Sequence, residues 1–157
     1  MAPFLHLAQT WPRPMHTPTF ATPEDAETAF YTALAHADLD AMMAVWSEDD
    51  EVVCIHPGSS RLTGLPAIRE AWRQLFASGT RITVTLHQGM QWNCGLTTIR
   101  SVRQLLQVDG DDRLQPPLIA TNVFIKGPRG WRLVMHHASP TPDTDNLHGH
   151  DTPTILH

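Results

Sequence analysis

The order of hydrophobic patterns along the chain most constrains its fold. Apolar residues recur at helical spacing up to about residue 77, whereas from residue 82 onward they alternate with polar residues, as in strands. A short apolar run at 52–56 is the exception in the first half. The predicted order is therefore helix, helix, strand, helix and four antiparallel strands. Helices early and strands late predict an α+β domain, with helices packed on one face of a curved sheet.

Local signals set the expected bounds of these elements. Thr22 is a good N-cap, and Pro23 suits the first position of the helix that follows. Asp38 is placed to cap the second helix, and the third is expected from Pro66 to about Ala77. After the strand that begins at Ile82, strands are predicted at 97–108, 118–126 and 131–139.

Both ends of the chain are predicted to lie outside the domain. Seven of the thirteen prolines fall in residues 1–18 or 140–153, and proline cannot sustain helix or ladder hydrogen bonds. We expect flexible segments at 1–21 and 141–157 around a single domain at 22–140. His148, His150 and Asp151 resemble metal ligands in composition only, because no third ligand is fixed by a scaffold. No metal site and no cofactor are predicted.

Charge and composition exclude several functional classes. The net charge is −5, and the eleven basic residues are scattered, which argues against binding to nucleic acid. No run approaches the roughly 18 apolar residues of a membrane span. Prolines interrupt the N-terminal segment, so a signal peptide is not expected. We therefore expect a cytoplasmic location. Cys54 and Cys94 are predicted as unpaired buried thiols, with a disulfide as the alternative.

The apolar run at 52–56 ends on His56, and Pro57 and Gly58 then turn the chain away. A titratable group at the rim of an apolar element is a natural part of a small-molecule pocket. Because imidazole exchanges protons near neutral pH, His56 is a candidate general acid or base. The alternative is a pocket-wall or turn histidine that is hydrogen-bonded and takes no part in chemistry.

Neighbouring histidines on the last strand must face opposite sides of the sheet. His137 shares its parity with Trp131, Leu133 and Met135, the more apolar set, so we predict His137 in the cavity and His136 on the convex face. Asn122 lies on an otherwise apolar strand face, where it either orients a ligand carbonyl or satisfies backbone groups.

Two tryptophans are candidate ligand contacts. Trp46 and Trp72 lie at helical spacing, which is typical of core residues, although in a domain that encloses a pocket one ring can serve both purposes.

Four segments, in this order, resemble the nuclear transport factor 2-like superfamily, and specifically its SnoaL-like branch. They are Ala37–Ala41 between two helices, His56-Pro-Gly58, Leu62–Ile68 with Trp72, and Trp131–Pro140. The resemblance covers about 22–140. It implies a cone, in which three helices close the wide end of a bent mixed sheet around a pocket, and whose convex face often forms a homodimer.

Within that superfamily, ketosteroid isomerase-like proteins carry a general-base Asp directly before the proline, where this chain has His56. Their oxyanion donors are a Tyr on the first helix and an Asp on a late strand. The corresponding residues here are Phe30, with Tyr31 one position away, and Asn122. The resemblance therefore argues against a ketosteroid isomerase.

Two functional hypotheses follow. The first is a binding domain for a small apolar or aromatic molecule. The second is an isomerase, cyclase or dehydratase that uses His56 as general acid or base on a carbonyl compound, with His137 or Asn122 as the second polar group that holds the substrate oxygen. A homodimer through the sheet is also expected, because the 118–126 strand is apolar on both faces and each face must be covered. Ile119, Val123 and Ile125 form its outward face.

Overall fold

The computed structural model of the chain describes residues 17–49 and 51–141. Predictions for residues 1–16 and for the histidines of the C-terminal tail lie outside the described residues. The helices are α1 (Pro23–His36), α2 (Leu39–Val45) and α3 (Leu65–Ala77). The strands are β1 (Val53–Ile55), β2 (Leu62–Thr63), β3 (Ile82–Cys94), β4 (Thr97–Val108), β5 (Leu118–Gly127) and β6 (Gly130–Pro140).

The six strands form one mixed, open sheet in the order β2-β1-β6-β5-β4-β3. β1 runs parallel to β6, and every other neighbouring pair is antiparallel. Helix α1 packs against β3, β5 and β6, and α2 and α3 pack against their helical neighbours. The predicted α+β fold is confirmed. Strand β2 was not predicted, because a two-residue strand is too short to show alternation.

The helix starts follow from the capping residues in the sequence. Thr22 Oγ1 accepts a hydrogen bond of 3.0 Å from the backbone nitrogen of Asp25. Asp38 Oδ1 likewise accepts a bond of 2.9 Å from the backbone nitrogen of Ala41. Each bond satisfies one of the amide groups that a helix start leaves unpaired. Both predicted caps are therefore confirmed.

The core extends further toward the N-terminus than predicted. Phe20 is only 9% exposed and packs with the buried residues of the helices and the sheet. Its carbonyl oxygen accepts a 2.9 Å bond from the backbone nitrogen of Trp131, and the Arg132 guanidinium lies over its ring. The expected boundary at residue 22 is therefore too late at this point. A single apolar residue among prolines and threonines shows no periodicity that would reveal it.

A β-bulge in β6 determines which side chains reach the interior. Phe124 pairs with Leu133, but Val123 pairs with Met135, so Val134 is an extra residue in the ladder. One extra residue shifts the alternation of every residue after it. Leu133 and His136 are both buried, whereas His137 is exposed. The prediction that His137 faces the cavity and His136 the convex face is therefore wrong.

Both cysteines are free, as predicted. Cys54 is buried in β1, but Cys94, expected to be buried, is exposed at the end of β3. Within the described ranges, no helix combines the length and apolarity needed to cross a membrane.

Candidate functional site

A cavity of about 330 Å³ lies between α1, α3 and the inner face of the sheet. Its volume falls in the usual range for small-molecule sites. Most of its wall is apolar, with contributions from Leu34, Leu75, Ile82, Val84, Leu106 and Leu118. The principal polar side chains in the wall are Tyr31, His56, Gln104 and His136.

His56 reaches the cavity from the end of β1, as its place before Pro57 suggested. Its imidazole and the Trp72 indole meet at nearly a right angle, with centroids 4.6 Å apart. Its Nε2 lies 3.7 Å from Cys54 Sγ, which is a weak contact. Burial lowers the pKa of His56, so the ring is neutral at pH 7. Burial also raises the pKa of Cys54 to about 12. Because the thiolate is the reactive form of cysteine, the protonated Cys54 thiol does not act as a nucleophile at pH 7.

His136 lies in the cavity wall on β6, beside Phe30, with ring centroids 4.8 Å apart. Its Nδ1 is 2.6 Å from Asn122 Oδ1. Burial, and after it the nearby imidazoles of His56 and His137, lowers the pKa of His136 to about 3. The cavity therefore contains two neutral imidazoles at physiological pH.

A buried polar network lies behind this wall. Arg100 Nε donates to Glu27 Oε1 at 2.8 Å, and the Glu27 side chain is only 4% exposed. Asn122 Nδ2 donates to Glu27 Oε2 and to the Tyr31 hydroxyl, both at 3.1 Å. Gln104 Nε2 donates to the same hydroxyl at 2.7 Å. Removing one member of a buried ion pair typically costs about 3–5 kcal/mol, so Arg100 and Glu27 depend on each other.

The Tyr31 hydroxyl receives two N–H donors and keeps a proton of its own. No acceptor for that proton is found among the residues that the structure describes. Burial raises the pKa of Tyr31 to about 12, so the phenol stays protonated at physiological pH. Because Tyr31 lines the cavity, its hydroxyl is available as a hydrogen-bond donor to a bound molecule.

The structure separates the predicted site residues into three groups. Phe30, Tyr31, His56 and Trp72 line the cavity. Trp46 is buried in the core and borders a different depression, near the start of α3. Asn122 lies behind the wall and His137 on the outer face, so neither faces the cavity.

Sequence reasoning missed Glu27, Arg100 and Gln104, and assigned His136 to the wrong face. Glu27 shares the buried face of α1 with Phe30 and Tyr31, and a carboxylate there requires a partner. Arg100 and Gln104 share the inward parity of β4 with Thr98 and Val102. The acidic residue on the buried face of α1 and the polar residues on the inward face of β4 were the sequence signals that could have revealed this network.

In the described part of the chain, no three histidine, cysteine or acidic side chains come together as a metal site would require.

The family model described as "SnoaL-like domain" matches residues 24–143. A solved structure from Thiobacillus denitrificans ATCC 25259, named for the calcium/calmodulin-dependent protein kinase type II association domain, is 40% identical. Its TM-score is 0.70, and the alignment covers 79% of this chain and 98% of that one. A nuclear transport factor 2-like protein from Streptomyces avermitilis, named as a dehydratase, is 29% identical with a TM-score of 0.68. That alignment covers 74% of this chain and 91% of the other.

Among curated proteins, the F-box protein SKIP8 of Arabidopsis thaliana is 27% identical over 120 residues. The match covers 71% of this chain but only 46% of SKIP8, so the chain spans about half the length of that relative.

Proposed function

We propose that this chain, which belongs to the SnoaL-like domain family of the nuclear transport factor 2-like superfamily, binds a small, uncharged and largely apolar molecule in its cavity. One observation carries the proposal: among the residues that the structure describes, the wall of an apolar cavity of about 330 Å³ presents neutral polar groups and no charged side chain. A charged ligand would lose its hydration there without gaining a counter-charge.

Aromatic walls favour a ring in the ligand. Phe30 and Trp72, which both line the cavity, stand edge to face with ring centroids 5.6 Å apart, and Phe76 packs against Trp72. Aromatic pairs of this geometry contribute about 0.5–1.5 kcal/mol beyond burial, so a ligand ring that packs against Phe30 or Trp72 gains a similar contact.

A second candidate function is proton transfer on a carbonyl compound. Two neutral imidazoles, His56 and His136, and a phenolic donor, Tyr31, border the same cavity. The Streptomyces avermitilis relative is named as a dehydratase, which belongs to the same broad class of chemistry. We place binding first because, within the described ranges, no carboxylate lies within hydrogen-bond distance of His56 to orient it as a base.

The binding proposal is tested by calorimetric titration with 2-naphthol and its charged counterpart 2-naphthoate. We expect the neutral probe to bind at least tenfold more tightly at pH 7. Ala71→Phe fills the cavity from α3 and is expected to abolish binding, whereas Ala77→Phe, at the exposed end of the same helix, leaves it unchanged. Equal affinity for both probes, or binding that survives Ala71→Phe, would contradict the proposal.

The enzyme candidate has a separate test. Proton transfer next to a carbonyl exchanges the α-protons of cyclohexanone with deuterium in D₂O, which NMR detects directly. A general base predicts exchange above the buffer rate that His56→Ala reduces by about 10²-fold or more. A binding domain predicts no exchange above buffer in either protein.

A further inference from the structure

We infer that the cavity selects molecules that carry a hydroxyl group, a phenol or a ring alcohol, because the buried Glu27 carboxylate sets the direction of the hydrogen bonds that Asn122 forms with His136 and Tyr31. The inference rests on the proposed function, since it names the polar group of the molecule that binds.

The first step concerns the orientation of the Asn122 amide. Glu27 forms an ion pair with Arg100, and both of its oxygens therefore accept hydrogen bonds. The group of Asn122 that faces Glu27 Oε2 at 3.1 Å must then be the NH₂. Its oxygen is thereby directed to His136.

The second step fixes the tautomer of His136. Asn122 Oδ1 can only accept, so the proton on His136 lies on Nδ1, which is 2.6 Å away. In a neutral ring, Nε2 then carries a lone pair. No partner for Nε2 is found among the described residues, and His136 lines the cavity. Its remaining capacity is that of an acceptor.

The third step combines this acceptor with the Tyr31 donor. His136 and Tyr31 are both hydrogen-bonded to the same Asn122 amide, one through Oδ1 and one through Nδ2, so they are held side by side. A hydroxyl both donates and accepts, and one hydroxyl can satisfy the pair. A ketone or an ether can only accept from Tyr31, which leaves the His136 acceptor unpaired. We therefore expect an alcohol to bind about ten- to a hundredfold more tightly than its ketone.

The tautomer is measured without any ligand. Ring ¹⁵N chemical shifts of histidine-labelled protein, with the His136 signals identified by their loss in His136→Gln, should show a neutral ring protonated on Nδ1 at pH 7. A ring protonated on Nε2, or a doubly protonated ring, would overturn the inference.

Affinity is measured by titration with cyclohexanol and cyclohexanone, which differ only in the polar group. Tighter binding of the alcohol supports the inference. Equal binding overturns it while leaving the proposed binding function intact. Absence of binding by both of these probes and by 2-naphthol overturns the proposed function together with the inference.

Glu27→Gln should reverse the direction of the hydrogen bonds that Asn122 forms with His136 and Tyr31. Arg100 can only donate, so the oxygen of the new glutamine amide stays hydrogen-bonded to Arg100. The NH₂ group of that amide then faces Asn122. Because two NH₂ groups cannot bond to each other, the Asn122 side-chain amide must rotate by 180°. Asn122 then donates to His136 Nδ1 and accepts from Tyr31, which leaves His136 Nε2–H as a donor in the cavity. Cyclohexanone can then accept from His136 as cyclohexanol does, and the ring proton should move to Nε2. A ring that keeps its proton on Nδ1 in Glu27→Gln would overturn the inference.

Glu24→Gln is the matched control, because Glu24 also approaches Arg100, at 3.6 Å, but does not contact Asn122. It should leave both the tautomer and the alcohol preference unchanged. Should Glu27→Gln not fold, Tyr31→Phe supplies a second test. Cyclohexanone then loses its sole predicted partner, whereas cyclohexanol still donates to His136 Nε2, so the alcohol should remain the tighter ligand, and equal binding of the two would overturn the inference.

Discussion

The imidazole of His56 and the indole of Trp72 stand at 84° to each other, with centroids 4.6 Å apart. The contact joins the end of β1 to the buried face of α3, two elements that are consecutive along the chain apart from the short strand β2. Because Trp72 is also packed against Phe30, the histidine is held at the cavity wall by a residue that is itself fixed. The wall around His56 is therefore formed before any ligand arrives.

His56→Ala should leave the fold intact and weaken ligand binding. The substitution removes one edge-to-face contact together with the burial of the imidazole, so we expect a loss of about 1–3 kcal/mol in the free energy of unfolding. Urea denaturation measures this loss, and His87→Ala, at an exposed histidine of β3, is the control. A loss above about 4 kcal/mol would show that His56 is a main structural support instead.

His136 should make stability depend on pH. Its folded pKa of about 3 lies below the ordinary value of 6.5, so between these limits the unfolded chain binds a proton that the folded chain excludes. The contribution is complete above pH 6.5 and is lost as pH falls toward 3. Within this range the slope approaches about 1.4 kcal/mol per pH unit. The pKa of His56 is also lowered by burial, so His56 adds to this pH dependence of stability.

The measurement compares urea unfolding of the wild type and His136→Gln at several pH values from 7 to 4. Glutamine keeps a donor for Asn122 but cannot titrate, so the variant should show the shallower dependence. Parallel curves for wild type and His136→Gln would contradict the prediction.

Gly130→Ala should detach the segment that carries Phe20. Gly130 has a φ of +83°, and a Cβ there would overlap the Phe20 carbonyl oxygen, which is backbone and cannot move aside cheaply. We expect a loss of roughly 1–3 kcal/mol from the strained backbone conformation, with more from the overlap.

Gly127→Ala, at the other side of the same turn, is the matched control, because its Cβ would meet no atom within 4 Å. Thermal unfolding and hydrogen exchange at Trp131, whose amide donates to Phe20, distinguish the two variants. Equal stability of both would show that the Phe20 contact contributes little.

The outer face of the sheet carries an apolar row that we propose as a homodimer contact. Trp92 pairs with Ile99, Ile99 with Val123 and Val123 with Met135, so the row crosses four strands. Trp92 is 51% exposed, Ile99 38% and Met135 36%. A continuous exposed apolar patch of this kind is typical of an association surface, and a stable dimer would bury upward of about 1,000 Å².

Val123→Lys places a charge in the middle of that row and should convert the dimer to a monomer. Sedimentation velocity at micromolar concentration measures the change. Thr83→Lys, on an exposed position of β3 outside the row, should leave the dimer intact. A wild-type monomer, or a Val123→Lys variant that still dimerises, would contradict the prediction.

Much of the fold could be predicted because its signals are local. The caps Thr22 and Asp38 and the alternation in β3 to β6 each depend on residues that are neighbours in sequence. The partners of Glu27 could not be predicted in this way, because Arg100 and Asn122 lie 73 and 95 residues away. Alternation indicates which residues share a face of a regular strand, but it carries no information on a bulge.

The extra residue at Val134 also affects how this strand is aligned with its relatives. A relative with a regular last strand has one residue fewer between the positions of Leu133 and His136. An alignment without a gap can therefore match Leu133 or His136 to its structural equivalent, but not both. Equivalent positions in the second half of β6 are therefore counted from the β5 partner, Asn122, which pairs with His136. An alignment that instead runs on from Trp131 would assign the cavity histidine of one protein to the outer face of another.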